Sequence, residues 1–362
     1  MGETRKLGWF CTYTPVEVLH AAGARPVGIK SDSGAEHEDV LLGDAMCSYV
    51  RSCMGGALTG VYDGMEGVVI SHACECMRRL SDGWNFRQGD IKPEMLHLLD
   101  VPKVITDSSV KFFANGIRRM AKDLEAKFGP ISEESLKRSM ALFAETRNLF
   151  SEIDAIRKEK TACITGLEVE ELITESWDMD REELNTRLAA FIDEKRSQLE
   201  SAEESKAPRI MVIGGPGNKS LIPAIEEAGG VSVVENMCSG LRAYTGESTP
   251  NEDPYMELAE FYLSKTPCPR MLGKKGEETI DELKEMIKEY KVDGIVYYSM
   301  KFCANMQMQY ALLKNEDVLG VPMKALEGDI SSEVNEREVH SFIKRLAKGK
   351  KGKRSRRRGG LS

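Results

Sequence analysis

Short apolar runs alternate with amphipathic stretches along the first hundred residues, which predicts strands interleaved with helices. Between the first two runs, Pro15 suits the first turn of a helix over Val16–Ala22, and Gly23 ends that helix. Strands that alternate with helices in this way indicate a parallel sheet. The runs that predict strands are Lys6–Tyr13, Ala24–Ile29, Gly67–Ile70 and Pro102–Ile105.

From about residue 111 to residue 206, apolar positions recur every three or four residues, so about three or four helices are expected. One of them opens at Ser132, which suits the N-cap, and continues through Leu149. A second alternating pattern then predicts further strands and helices. They fall at Arg209–Ile213, Ser220–Ala228, Val231–Val234, Ile280–Tyr290, Gly294–Tyr298 and Glu336–Leu346.

The predicted fold class is therefore α/β, with two parallel-sheet domains and a helical insertion between them. The expected divisions are an N-terminal α/β domain at 1–110, a helical bridge at 111–206, a C-terminal α/β domain at 207–347 and a disordered basic tail at 348–362. In open sheets of this kind, ligands bind beyond the carboxyl ends of the strands. Residues that follow predicted strands are thus the first candidates for a functional site.

Composition supports two soluble domains. The chain has 362 residues, of which 41% are hydrophobic and 30% charged, as in ordinary globular proteins. No apolar run approaches the ~18 residues that span a bilayer. The polar start also lacks the pattern of a signal peptide, so a cytoplasmic protein without a membrane partner is expected.

The net charge of −8 is unevenly distributed. The last 15 residues, 348–362, contain eight lysines and arginines and no acidic residue. Residues 1–347 therefore contain 42 of the 50 basic residues and all 58 acidic residues. Because residues 1–347 are strongly acidic, this part of the chain is not expected to bind nucleic acid. The tail has two interpretations: a solvated, disordered segment, or a segment that binds RNA or an acidic partner.

The glycine-rich stretch Gly214–Ser220 resembles a phosphate loop but fails its pattern, because Asn218 stands where a glycine must precede the lysine. It fails the dinucleotide fingerprint as well, since Ser220 takes the place of the third glycine. Two interpretations remain, an anion site at the start of a helix or a tight strand-to-helix turn.

Nine cysteines require an explanation in a chain expected in the cytosol, where stable disulfides are uncommon. Paired zinc knuckles are absent, and Cys74 and Cys76 are spaced so that both are not expected to face one site. Cys74 and Cys303 each follow a predicted strand, and Cys47 lies in a separate segment. Three thiolates from separate loops suit three irons of a [4Fe–4S] cluster, with the fourth iron open to substrate. The alternative is that these are free cysteines, which behave as small apolar residues.

Several segments, in this order along residues 7 to 347, resemble the 2-hydroxyacyl-CoA dehydratase and benzoyl-CoA reductase family, in particular a D-component-like subunit of 2-hydroxyglutaryl-CoA dehydratase. The basic tail lies outside the resemblance. The matching segments are Gly8–Glu17 with Ala21–Gly23, Ser71–Cys74 with Arg78, Asn236–Arg242, Pro267–Arg270, Lys301–Cys303, and Val321–Met323 with Leu326–Asp329.

The resemblance implies two flavodoxin- or Rossmann-like domains and a [4Fe–4S] cluster, with Cys47, Cys74 and Cys303 as its ligands. It also implies an acyl-CoA substrate, a sister subunit or second copy, and an ATP-dependent iron–sulfur activator protein that supplies one electron. That electron makes a ketyl radical from the thioester, after which the hydroxyl at carbon 2 leaves, while the open iron acts as a Lewis acid. Such a cluster requires an anaerobic cell.

Further residues take secondary roles under this resemblance. Cys11, Cys238 and Cys268 are additional candidate ligands, and the other three cysteines, Cys53, Cys76 and Cys163, are expected to be structural. His72 and Glu75, on either side of Cys74, are candidate catalytic proton relays. Cations near the expected ligands are candidates for contacts with CoA phosphates or for tuning the cluster potential: Arg51, Arg78, Arg79 and Lys301. For Arg79, a solvent-facing role is preferred.

Two alternatives stay open. Some members of the family hold a double-cubane [8Fe–9S] cluster and reduce small molecules with ATP-driven electrons, in which case Cys238 and Cys268, with Cys11 or Cys53, complete a larger ligand set. The other alternative is a non-catalytic scaffold or electron-transfer subunit that keeps the fold without the substrate site.

Overall fold

A computed structural model describes residues 5–30, 42, 43, 45–159, 163–199, 201, 203, 205–266, 268–271 and 275–358. Over these residues the chain forms two four-stranded sheets in which every pairing is parallel, which confirms the predicted α/β class. The strands are β1 (Lys6–Phe10), β2 (Arg25–Gly28), β3 (Gly67–His72), β4 (Leu96–Asp100), β5 (Arg209–Gly214), β6 (Val231–Asn236), β7 (Gly294–Met300) and β8 (Met323–Gly328).

Helices surround both sheets and fill the sequence between them. In the first unit they are α1 (Val16–Ala21), α2 (Ser48–Leu58) and α3 (Glu75–Phe86). Those between the sheets are α4 (Asp107–Phe128), α5 (Glu133–Glu159), α6 (Gly166–Glu175) and α7 (Arg181–Leu199). The second unit has α8 (Leu221–Glu227), α9 (Pro254–Ser264), α10 (Lys275–Glu289), α11 (Ala304–Leu313), α12 (Glu316–Leu319) and α13 (Glu336–Arg358).

The two sheets have the same topology, β2-β1-β3-β4 and β6-β5-β7-β8. In each, the chain moves outward from the first strand to the second and then crosses to the other side. The order of the strands therefore reverses between β1 and β3 and between β5 and β7. Ligands of open α/β sheets bind beyond the carboxyl ends of the strands at such reversal points, and Cys11, Cys74 and Cys303 follow three of these four strands.

One predicted strand is wrong. Pro102–Ile105 lies outside the sheet, and the fourth strand is the run just before it, Leu96–Asp100, which pairs with Val68–His72. Proline has no N–H to contribute to a strand ladder. The chain instead turns toward Thr106, whose side chain accepts a hydrogen bond from the Ser109 N–H at 3.1 Å and caps α4.

The described residues of the helical region form four helices, where three or four were expected, and Ser132 accepts a hydrogen bond from the Ser135 N–H at 3.0 Å, as an N-cap does. Helix α9 packs against α4 in a core shared with the first sheet, although it follows the second sheet's β6 in sequence. Helix α13 extends to Arg358, whereas the sequence predicts a disordered tail from residue 348. No helix among the described residues is long and apolar enough to cross a membrane.

Candidate functional site

The three expected cluster ligands occupy equivalent positions. Cys47, Cys74 and Cys303 are the N-cap residues of α2, α3 and α11, and none of their side chains caps the helix. Cysteine is not among the residues that favour an N-cap, and the usual cap contributes about 1 kcal/mol. These thiols are thus left available at helix starts, where the positive end of the helix dipole favours a negatively charged group.

Cys76 joins this group, contrary to the expectation that it and Cys74 cannot face one site. The thiols of Cys47 and Cys74 both hydrogen-bond to the Cys76 sulfur. These bonds hold the pKa of Cys76 well below its usual range and raise the pKa of the other two. The backbone explains the geometry, because Cys74 is extended (φ −149°, ψ 171°) while Cys76 lies in the first turn of α3. The bend at the N-cap brings their side chains together.

Cys303 lies between two hydrophobic clusters. Its half-buried side chain packs against a cluster that contains residues of both sheets and against a second cluster under the second sheet. Burial raises the pKa of the thiol to about 11, and the thiol interacts electrostatically with Cys76, Cys238 and Cys268. Phe302 before it is held at φ 63° and is 52% exposed. A bulky residue with positive φ is strained, so the turn after β7 is held in an unfavourable conformation beside the thiol.

A second thiol group lies next to the first. Cys11, at φ 74° just after β1, interacts electrostatically with Cys238 and Cys268, and also with Cys74. Burial raises the pKa of Cys11 to about 12, and it also raises the pKa of Cys238. The Arg242 guanidinium, whose Nη1 lies 4.0 Å from the Cys238 sulfur, partly offsets the rise in the pKa of Cys238. Each of the six candidate ligands therefore interacts electrostatically with at least one other cysteine.

Buried cations connect the segments that carry these cysteines. The Lys265 ammonium donates to the carbonyls of Thr12, at 3.0 Å, and Arg242, at 3.3 Å, which lie next to the Cys11 and Cys238 segments. Lys265 is 5% exposed, and burial lowers its pKa to about 7. Because Thr12 follows the first sheet and Arg242 the second, this side chain links the two units at the thiol groups.

Arg270 makes a similar connection. It is 3% exposed, stacks over the Tyr13 ring at 4.4 Å and donates to the Ala73 and Val101 carbonyls at 3.3 Å. It thereby holds the Cys268 segment against the end of β3, directly before Cys74. Sequence reasoning assigned no role to Lys265 or Arg270. The available signals were that each lies within three residues of Cys268 and that Arg270 belongs to the matching segment Pro267–Arg270.

The remaining two cysteines are buried in cores. Cys53 is fully buried on α2, and burial raises the pKa of its thiol to about 12. Cys163 is 5% exposed and packs in the cluster under the second sheet. These surroundings are those of cysteines that behave as small apolar residues.

The donor set fits an iron–sulfur cluster better than a single ion. Among the described residues, no three Cys, His, Asp or Glu side chains converge closely enough to bind one metal ion. The thiolates of a cubane cluster each bind a different iron and need not meet at one point. Soft thiols from several loops, without carboxylates among them, have the ligand chemistry that such clusters use.

The candidate proton relays differ in environment. His72 Nδ1 lies 2.8 Å from the Asp100 carboxylate on β4, a pair that fixes the ring. Glu75 points to solvent, 62% exposed, and forms a 2.6 Å ion pair with Arg79. Arg79 also pairs with Asp82, as expected of a solvent-facing cation. His72 is thus held by a partner, whereas Glu75 is not directed toward the thiols.

The glycine-rich turn after β5 is a rigid strand-to-helix connection. Asn218, 2% exposed, donates to the Tyr298 hydroxyl, at 3.1 Å, and to the Ser332 carbonyl, at 2.6 Å, and accepts from the Ser220 N–H, at 3.0 Å. The turn and the loop after β8 form one wall of a 490 Å³ cavity. Its other walls come from α2 and α6, and it lies next to Cys238 through Ser239.

Comparisons with known proteins extend over nearly the whole chain. Residues 11–343 match the family described as 2-hydroxyglutaryl-CoA dehydratase, D-component. The (R)-phenyllactyl-CoA dehydratase beta subunit of Clostridium sporogenes is 23% identical over 333 residues, 90% of this chain and 87% of that protein. The putative dehydratase subunit YjiM of Escherichia coli is 25% identical over 94% of this chain and 91% of its own. A benzoyl-CoA reductase subunit of Thauera aromatica is 22% identical, with coverages of 82% and 78%.

Proposed function

We propose that this chain, which belongs to the 2-hydroxyglutaryl-CoA dehydratase D-component family, is the iron–sulfur subunit of a 2-hydroxyacyl-CoA dehydratase. Its reaction eliminates water from a 2-hydroxyacyl-CoA, together with a sister subunit or second copy and an ATP-dependent iron–sulfur activator, in an anaerobic cytoplasm. The closely related benzoyl-CoA reductase type shares the cluster and the thioester substrate.

One observation carries the proposal. Cys47, Cys74 and Cys303 lie at the N-termini of three helices without capping them, and the last two follow strands at the reversal points of the two sheets. These three cysteines would hold a [4Fe–4S] cluster with the fourth iron open to substrate, and Cys76 lies beside the first two as a further thiol. When bound, the cluster would supply a Lewis acid and a low-potential electron to the thioester.

The surrounding residues hold this site in place. Lys265 and Arg270 fix the neighbouring cysteine segments through buried hydrogen bonds. His72, oriented by Asp100, is the better placed of the two candidate proton relays, because Glu75 is paired with Arg79 at the surface. Under this proposal His72 passes a proton to the leaving hydroxyl.

The decisive experiment reconstitutes the reaction. Anaerobically purified protein, its sister subunit, an iron–sulfur activator and ATP are incubated with a panel of 2-hydroxyacyl-CoA thioesters, and 2-enoyl-CoA is measured by mass spectrometry. The proposal predicts a product that requires both ATP and the activator. Iron-loaded protein that neither binds acyl-CoA nor forms product under any of these conditions would contradict the dehydratase and favour the scaffold or electron-transfer subunit.

A second candidate, a double-cubane reductase of small molecules, has an observation in its favour. Cys11, Cys238 and Cys268 interact with one another and with the first thiol group, which gives more thiols than one cubane needs. Iron analysis separates the two, since the dehydratase predicts about four irons per chain and the double cubane about eight.

A further inference from the structure

A small cavity lies where the helical region meets both sheet units. Its walls come from Trp9 on β1, the turn after β1, helix α5, the start of α7, and the segments that follow β6 and α9. The cavity volume is about 70 Å³, whereas a water molecule needs about 10–15 Å³ of such space. The cavity therefore has room for a few water molecules or one small ion, but not for a nucleotide.

The walls of this cavity carry an excess of positive charge. Three cations line it, Arg147, Arg181 and Lys265, and none of the described residues that line it is acidic. The fully buried Glu17 carboxylate is already paired, because it accepts from Arg147 Nη1 at 2.6 Å and from the Tyr262 hydroxyl at 2.7 Å. Arg181 and Lys265 are thus left without a counter-charge among the described residues.

Two buried donors of the walls have no hydrogen-bond partner among the described residues. They are the Trp177 indole Nε1 and the Arg181 guanidinium Nε. A buried donor without a partner is unfavourable, so such groups indicate a missing acceptor. Lys265 contributes charge but no further donor, because its ammonium donates to three carbonyls, at 3.0, 3.3 and 3.4 Å.

Aromatic rings hold two of the cations in position. The Arg181 guanidinium lies 4.2 Å from the centre of the Phe143 ring, and its Nη2 donates to the Ser176 carbonyl at 3.1 Å. The Arg147 guanidinium lies 4.1 Å from the centre of the Phe261 ring. Groups that are already fixed lose little conformational freedom when a ligand binds.

We propose that this cavity binds one small monovalent anion, a halide or a carboxylate no larger than formate, between the Trp177 indole and the Arg181 guanidinium. The anion would accept from both unpartnered donors and supply the counter-charge for Arg181 and Lys265. Because the walls belong to the helical region and to both sheet units, the bound anion would also stabilise their contact. The site does not depend on the proposed reaction.

Thermal unfolding of the full-length, anaerobically purified protein tests the proposal. The midpoint is measured by circular dichroism while sodium chloride replaces sodium gluconate at constant ionic strength, since gluconate is too large for the cavity. Chloride should raise the midpoint in proportion to the logarithm of its concentration, because a ligand that binds only the folded state stabilises it. Formate should act in the same way, and a response to formate alone supports the site with a carboxylate as its ligand.

Tryptophan fluorescence gives a second measurement on the wild type. Trp9 and Trp177 line the cavity, whereas the third tryptophan, Trp84, is 1% exposed and donates from Nε1 to the Pro93 carbonyl at 3.1 Å. Iodide bound in the cavity should quench the first two with a saturating dependence on its concentration, and chloride should reverse the quenching.

Variants of the walls test the named donors. Arg181→Gln should weaken chloride binding about tenfold or more, as expected for the loss of a hydrogen bond to a charged group. Trp177→Phe, which keeps an aromatic ring without the donor, should weaken it as well. Arg187→Gln is the matched control and should bind like the wild type, because Arg187 pairs with Glu175 at the surface of the same helix.

Three results would overturn the assignment. The first is an equal midpoint in chloride, formate and gluconate, which would leave only an effect of ionic strength. The second is iodide quenching that rises linearly and is not reversed by chloride. The third is wild-type affinity for chloride in both Arg181→Gln and Trp177→Phe.

Discussion

Replacing Glu170 with glutamine should change how the stability of the protein depends on pH. The pKa of this carboxyl is raised from 4.5 to about 8 in the folded protein, chiefly by burial. The unfolded chain releases the proton above pH 4.5, whereas the folded chain keeps it up to about pH 8. Because the folded state binds more protons in this window, wild-type stability falls as pH rises through it and levels off above the folded pKa.

The size of the effect follows from the linkage relation. One pKa unit corresponds to about 1.4 kcal/mol, so the carboxyl lowers the free energy of unfolding by up to about 3 kcal/mol at pH 7 relative to pH 4.5. Glutamine has nearly the same shape as the protonated acid and does not titrate. Glu170→Gln should thus gain stability over the wild type by about 3 kcal/mol at pH 7 but by only about 1 kcal/mol at pH 5.

Urea unfolding followed by circular dichroism at half-unit steps from pH 5 to pH 8.5 measures this difference. Glu134→Gln, at an exposed position on α5, is the control and should parallel the wild type. A difference between Glu170→Gln and wild type that stays constant across this pH range would refute the reasoning.

Three further predictions concern other parts of the molecule. Arg157 is 1% exposed and donates hydrogen bonds of 2.8 and 2.6 Å to the Glu235 carboxylate. Because Arg157→Met leaves that buried carboxylate without its partner, it should lower the free energy of unfolding by about 3–5 kcal/mol in chemical denaturation. A loss below about 1 kcal/mol would contradict this expectation. Cys303→Ala should lose most of its bound iron and Cys163→Ala should keep it, as measured by metal analysis, and equal iron in both would remove Cys303 from the ligand set. His72→Ala should reduce turnover without loss of iron, and unchanged turnover excludes it as the proton relay.

Much of the fold could be predicted because local patterns match the tertiary arrangement. The runs ending at Ile213 and Tyr298 are buried throughout and appear as central strands. The fourth strand was misplaced because the run at Pro102–Ile105 includes the β-branched Val104 and Ile105, which favour strands, whereas Leu96–Asp100 contains leucines and a histidine and is only partly buried. Because β4 is an edge strand, its hydrophobicity alone does not show which of the two runs forms the strand.

The site was only partly predictable. Cys74 and Cys303 could be placed because each follows a strand, and Cys47 because the family resemblance implied it. Cys76 could not, since sequence spacing does not show that an extended N-cap turns two nearby thiols toward each other. The roles of Lys265 and Arg270 depend on contacts with segments about 170 to 250 residues away, and no local pattern in the sequence encodes them.

Iron and acid-labile sulfide per chain, measured on the anaerobically purified wild type and on the triple variant Cys47→Ala/Cys74→Ala/Cys303→Ala, tests the central claim most directly. The account predicts about four irons per chain in the wild type, with matching sulfide and a reducible cluster signal by electron paramagnetic resonance. The triple variant should contain almost none. A wild type without iron after anaerobic reconstitution, or a triple variant that binds as much iron as the wild type, would contradict the assignment of these cysteines as cluster ligands.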